Sequence, residues 1–263
     1  MKTALMTADD LEKIRTWFLS FAEQCMQCRP DCRDQLYPRL EHTLTVTEEC
    51  RSLANDLGWS FNQIRIGEAI GLLHDTGRFS QYADFRTFVD ANSVDHRRYG
   101  YDVVKKSGIL DPLPPVEQRI ILDSIRYHNL KGVRSRLQPE SLPFIYLIHD
   151  ADRIDRFRIT LILIQEITRT RLLDIRLDGP LNQIILDKIF KRKTVPRKNI
   201  SSTLDFYLFR LSSVFSIHYP HTFRRLHESG MFEEIVGKLP DKRIIHEAVD
   251  VMRSHLNKRA KEE

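Results

Sequence analysis

The chain has 263 residues, 41% hydrophobic and 29% charged, enough to bury a substantial core in one large domain or two small ones. Its net charge of +5, from 41 basic against 36 acidic residues, fits an anionic substrate without demanding nucleic acid. No uncharged run approaches the roughly 18 residues of a membrane span, and Asp9, Asp10, Glu12 and Lys13 leave no apolar signal-peptide core, so a cytoplasmic protein with no membrane partner is expected.

Helical periodicity dominates, and strand alternation is missing from the sequence. Thr7-x-x-Asp10 reads as a helix start, with Leu11, Ile14, Phe18 and Phe21 at helical spacing to about Gln27. Cys25, Cys28 and Cys32 lie close together, with Cys50 further on. Zinc sites use two separated pairs of ligands, so these are read as reduced thiols on a helix and its exit. Pro30 and Pro38 are expected to bracket a connection. A second helix is predicted over residues 39–57, with His42, Val46, Cys50, Leu53 and Leu57 on one face and Gly58 at its end. A third, from about Asn62, buries Ile66, Ala69, Ile70 and Leu73 and delivers His74 and Asp75 at its C-terminal end.

Residues 78–93 read as a loop with one helical turn. Ser93 or Asp95 caps a fourth helix, on which His96, Tyr99, Gly100 and Val103 share a face before Gly108. Pro112, Pro114 and Pro115 lead into a fifth, on which Ile121, Ser124, Ile125 and His128 share a face. The run Asn129-Leu130-Lys131-Gly132 ends it. A sixth helix opens at Pro143 and carries His149, Asp150 and Asp152. Asp150 is expected on its surface, while His149 either orients a ligand or packs. A long apolar helix over 159–173, a break at Asp178-Gly179-Pro180 and further helices follow, with no comparable His/Asp set. The basic runs Lys191-Arg192-Lys193, Arg197-Lys198 and Lys258-Arg259-Lys261 read as solvated surface in preference to a nucleic-acid site.

Six candidate ligands emerge: His42, His74, Asp75, His96, His128 and Asp152. Each falls on the apolar face or the end of a predicted helix, so a bundle that turns them inward makes a compact site of imidazoles and carboxylates. Such donors suit iron, manganese, zinc, cobalt or nickel. Four imidazoles and two carboxylates exceed what one catalytic ion takes while keeping an open position. They suit two ions with Asp75 as the bridge.

In this order, His42, His74-Asp75, His96, His128 and Ala151-Asp152-Arg153 resemble the motif of HD-domain metal-dependent phosphohydrolases, over about residues 39–156. The run Gly77-Arg78-Phe79-Ser80-Gln81-Tyr82 with Ser93-Val94-Asp95-His96 resembles an uncharacterised bacterial subgroup of that superfamily. The resemblance implies an all-α helical bundle of the HD-domain type with additional C-terminal helices. The expected organisation is an N-terminal helix (1–38), a metal-binding core (39–158) and a C-terminal extension (159–263) within the same compact unit.

The resemblance further implies that His42, His74, Asp75 and Asp152 hold one divalent ion, and that His96 and His128, with Asp75 bridging, hold a second. It implies hydrolysis of a phosphate ester or anhydride, of a nucleotide by preference, by water activated at the metals. Arg78, Arg97 and Lys131 lie near ligands in sequence and are candidates to meet the phosphoryl charge. A mixed-valent di-iron oxygenase with the same ligand order is the rival enzyme reading, and a non-catalytic regulatory HD module is the third. The Gly-Tyr-Pro motif of the cyclic-dinucleotide branch is missing after His128.

Overall fold

The computed structural model describes residues 5–129, 137–170 and 181–262, with the backbone alone for 167–170. It is all-α, and no strand occurs among the described residues. No helix among them is long and apolar enough to cross a membrane. The chain divides into two compact units, 1–151 and 152–263, and the division falls inside one continuous helix.

In the first unit, α1 (Ala8–Gln27) starts from a capping box in which Thr7 and Asp10 satisfy each other's backbone N–H groups. It buries Ile14, Phe18, Ala22 and Met26. Helix α2 (Cys32–Asp56) packs against α1 and α3 (Phe61–Leu73). It was expected to begin after Pro38, but it runs through that residue. Proline forgoes one helical hydrogen bond and crowds the preceding turn. Here Cys32 and Leu36, both fully buried, anchor that turn in the core and offset the loss. The thiols of Cys28 and Cys32 lie 3.1 Å apart.

Residues expected to be mostly loop form α4 (Thr76–Phe85), which ends in the left-handed Arg86. Phe79 is fully buried and meets the edge of Phe18, so one apolar anchor holds an otherwise polar helix to α1. Helix α5 (His96–Ser107) is capped by Asp95 and stops at Gly108, whose φ of +70° suits glycine. Helix α6 (Pro115–Tyr127) opens with a proline in its first turn and packs against α3 and α5.

Helix α7 (Leu142–Thr170) is unbroken where a sixth helix and a separate apolar helix were expected. Its course beyond 170, the Asp178-Gly179-Pro180 break, Lys131 and Gly132 lie outside the described residues. Asp150 was expected on the helix surface and is fully buried.

The second unit contains α8 (Gln183–Phe190), α9 (Thr203–Leu211), α10 (Pro220–Glu228), α11 (Met231–Val236) and α12 (Arg243–Ala260). Helix α12 packs against α8 and α10. Phe157 and Leu161 of α7 join Ile185, Leu208, Phe223 and Met252 in its hydrophobic core.

Candidate metal centre

Asp75 occupies the joint between α3 and α4. His74 is the C-cap of α3 and Asp75 the N-cap of α4. An N-cap aspartate ordinarily turns its carboxylate onto the free N–H groups of its own helix. Asp75 makes no such bond. Its oxygens instead face imidazoles from four other positions. Oδ2 lies 3.9 Å from the Nε2 of His42 and 3.9 Å from that of His74. Oδ1 lies 3.9 Å from Nε2 of His96 and 3.7 Å from Nε2 of His128.

These separations are too long for hydrogen bonds. They suit an intervening ion, because two ligand atoms each about 2.1 Å from one metal lie about 3 to 4 Å apart. The Nε2 atoms of His96 and His128 are buried and find no hydrogen-bond partner, although a buried polar atom is costly to leave unmatched.

The other ring nitrogens explain why these atoms face the cage as lone pairs. Nδ1 of His74 lies 2.7 Å from the Gly71 carbonyl, and Nδ1 of His128 lies 2.8 Å from the Ile125 carbonyl. Nδ1 of His96 lies 2.8 Å from Asp90 Oδ2. Carbonyls and carboxylates only accept, so each Nδ1 donates and each Nε2 is left as a metal-ready donor.

The electrostatics agree. Burial pushes His128 down to about 3, helped by His74. Burial also lowers His96, against the pull of Asp75. Burial opposes ionisation of Asp75, but His74, His96, His128 and His42 outweigh it and hold the carboxyl well below its usual range. Burial thus disfavours protonation of His96 and His128 beside a carboxylate that stays ionised.

The ligand atoms form two groups, each within 4.8 Å: His42, His74 and Asp152 in one, Asp75, His96 and His128 in the other. Asp152 is the residue after Ala151 on the unbroken α7 and is almost fully buried. Arg156 holds its Oδ2 at 2.7 Å, and Arg153 reaches the same oxygen at 3.4 Å.

Glycines let the helices close on the cage. A Cβ on Gly71 would lie 2.6 Å from Thr47 Cα, so α3 presses directly on α2 at Thr47. A Cβ on Gly77 would lie 1.9 Å from the His96 carbonyl oxygen and 2.6 Å from Gly100 N, so α4 meets α5 backbone to backbone.

All six sequence-predicted ligands fall into these two groups. The predicted phosphate-binding residues do not share one situation. Arg78 Nη1 donates to Gln81 Oε1 at 2.7 Å, the Phe88 carbonyl at 2.6 Å and Asp90 Oδ1 at 2.7 Å. Arg97 is gripped by both carboxylate oxygens of Asp95, at 2.9 and 2.7 Å. Lys131 lies outside the described residues. Three residues near the cage had not been singled out. Asp90 backs His96, Arg156 backs Asp152, and Arg39 Nη1 stands 4.0 Å from Asp75 Oδ2. The spacing of Arg156 from Asp152, one helical turn, was a usable signal. Asp90 had none, since Asp84 and Asp95 compete with it in the same stretch.

The fold and this cage define an all-helical protein with a buried cluster of histidines and carboxylates that could hold metal. Residues 39–157 match the family model described as HD domain. HD domains bind divalent metals and are mostly metal-dependent phosphohydrolases. No curated protein and no solved structure matches the chain.

Proposed function

We propose that the chain is a phosphohydrolase that cleaves a phosphate ester or anhydride, of a nucleotide by preference, at a dinuclear centre bridged by Asp75. The observation that carries this reading is the even division of the Asp75 carboxylate, with one oxygen toward His42 and His74 and the other toward His96 and His128. A carboxylate serving a single ion has no reason to face two imidazole pairs. His42, His74 and Asp152 would hold one ion and His96 and His128 the other, each a divalent iron, manganese, zinc, cobalt or nickel. When bound, two such ions polarise phosphoryl oxygens and lower the pKa of water.

The chain's own residues orient the site. The Nδ1 bonds to Gly71, Ile125 and Asp90 fix three rings. Arg156 and Arg153 fix Asp152. Arg39, part-exposed and stacked on Phe88 at 4.7 Å, is the cation best situated to orient an incoming phosphate. Arg78 and Arg97 act as positioning residues in this reading, since Asp90 and Asp95 already hold them.

The test is hydrolysis of a chromogenic phosphodiester and a nucleotide panel by metal-loaded protein and by Asp75→Ala. Turnover by the wild type that vanishes in the variant supports the reading. No turnover by metal-replete wild type, or equal turnover by both, overturns it.

A further inference from the structure

The turn between α1 and α2 holds two thiols in contact. Cys28 is the C-cap of α1 and Cys32 the first residue of α2. Their sulfurs lie 3.1 Å apart, with either thiol able to donate to the other. The two differ in reach, since Cys28 is exposed and Cys32 is fully buried. The groups that could hold a metal ion among the described residues include neither of them.

Arg86, the left-handed residue that ends α4, closes over the buried member of the pair. Its Nη1 donates to Cys32 Sγ at 3.1 Å, and its Nη2 pairs with Asp31 in the turn itself. A guanidinium beside a sulfur favours the thiolate. Burial outweighs that help: with the bond to Cys28, it pushes the Cys32 thiol up to about 11. Burial also pushes Cys25, one turn earlier on α1, up to about 12. A reagent arriving from solvent therefore meets Cys28 first, with Cys32 held as a thiol directly behind it. A disulfide bond is about 2 Å long, so the two sulfurs need to approach by only about 1 Å to close one.

We propose that Cys28 and Cys32 form a redox-active dithiol, a modification site whose oxidant is a small disulfide of the glutathione type. The Cys28 thiolate attacks one sulfur of that disulfide, forming a mixed disulfide and releasing one small thiolate. Cys32 then gives up its proton, and its sulfur attacks Cys28 Sγ. The Cys28–Cys32 bond forms as the mixed bond breaks, and the second small thiolate leaves. Two protein thiols are oxidised, one small disulfide is reduced to two thiols, and the two protein protons end on those thiols. The inference stands apart from the phosphohydrolase reading, because none of its residues belongs to the metal cage.

The test exposes the folded full chain to oxidised glutathione and quenches it with acid. A maleimide then blocks the remaining thiols, and intact and peptide masses are read. Wild type should lose two thiols to a Cys28–Cys32 cross-link and retain no glutathione. Cys32→Ser should stop at a glutathione adduct on Cys28. Cys28→Ser should react at least about tenfold more slowly than wild type, because the thiol left in the pair is buried. Cys25→Ser should behave as wild type, and a reducing dithiol should restore every thiol.

A glutathione adduct that persists on Cys28 in wild type, a cross-link to Cys25 or Cys50 instead, or a Cys28→Ser variant that reacts at the wild-type rate overturns the proposal. So does a wild type that keeps all its thiols. Should Cys32→Ser fail to fold, the peptide map of the wild type still decides, since it reports directly which two sulfurs have joined.

Discussion

Asp90 stands behind His96: its Oδ2 accepts from Nδ1 at 2.8 Å while Nε2 of the same ring faces Asp75. Its other oxygen accepts from Arg78 at 2.7 Å. One carboxylate thus fixes both the tautomer and the pitch of a ligand ring. Asp90→Asn keeps the size and removes the charge that strengthens this bond. Metal affinity at the His96 and His128 pair should fall by about 10- to 100-fold. Competitive titration against a chromophoric chelator measures it, and an unchanged affinity would remove Asp90 from any positioning role.

Asp75 and His96 should differ in how many ions they cost. Wild type should hold about two transition-metal ions per chain, His96→Ala about one, and Asp75→Ala well under one, because in the proposed arrangement Asp75, which faces both imidazole pairs, would bridge the ions. Elemental analysis of protein purified with metal supplementation decides this. One ion in wild type, unchanged in His96→Ala, would refute the dinuclear arrangement.

Gly77→Ala pushes a methyl group into the His96 carbonyl, where backbone rather than a flexible side chain must yield. We expect about 3 kcal/mol of destabilisation, at the upper end of core overpacking. Gly58→Ala is the control, because its φ of +67° carries strain with nothing within 4 Å of the added atom. It should cost about 1 kcal/mol. Urea unfolding compares the two, and equal losses would mean that the α4–α5 approach is not tight.

Glu233 accepts from Arg253 at 2.7 and 2.8 Å, and that bond lowers its carboxyl below the usual value. A depressed folded-state pKa adds stability above the unfolded value of about 4.3, and this is lost as pH falls through the folded value. The pair is well exposed, so Glu233→Gln should cost only about 0.5 kcal/mol at pH 7. The difference from wild type should shrink steadily below about pH 4. A gap in urea unfolding that widens on acidification would reverse the sign and refute the pairing.

Much of the cage was legible because its ligands lie where helices start and stop. Capping and glycine signals locate His74, Asp75 and His96 to within a residue or two. What periodicity concealed were features set by tertiary contact. Gly77 suits a turn by residue type, yet it lies inside α4, where the close approach to α5 leaves no room for a Cβ. Pro38 reads as a boundary, yet burial of Leu36 carries α2 through it. Arg78 is close to the ligands in sequence, but the fold directs its guanidinium to Asp90. Sequence proximity identifies ligands on helix ends far better than it identifies what faces an open coordination position.

Asp75 is the joint of α3 and α4 as well as the centre of the cage. Its carboxylate forgoes the capping bond that would stiffen that joint from within. Ions would then act as a rivet, tying the corner to α2, α5, α6 and α7 in one stroke. Loading the protein should slow amide hydrogen exchange most sharply around residues 74–78, so that occupancy of the cage becomes readable as the stiffness of a single bend in the chain.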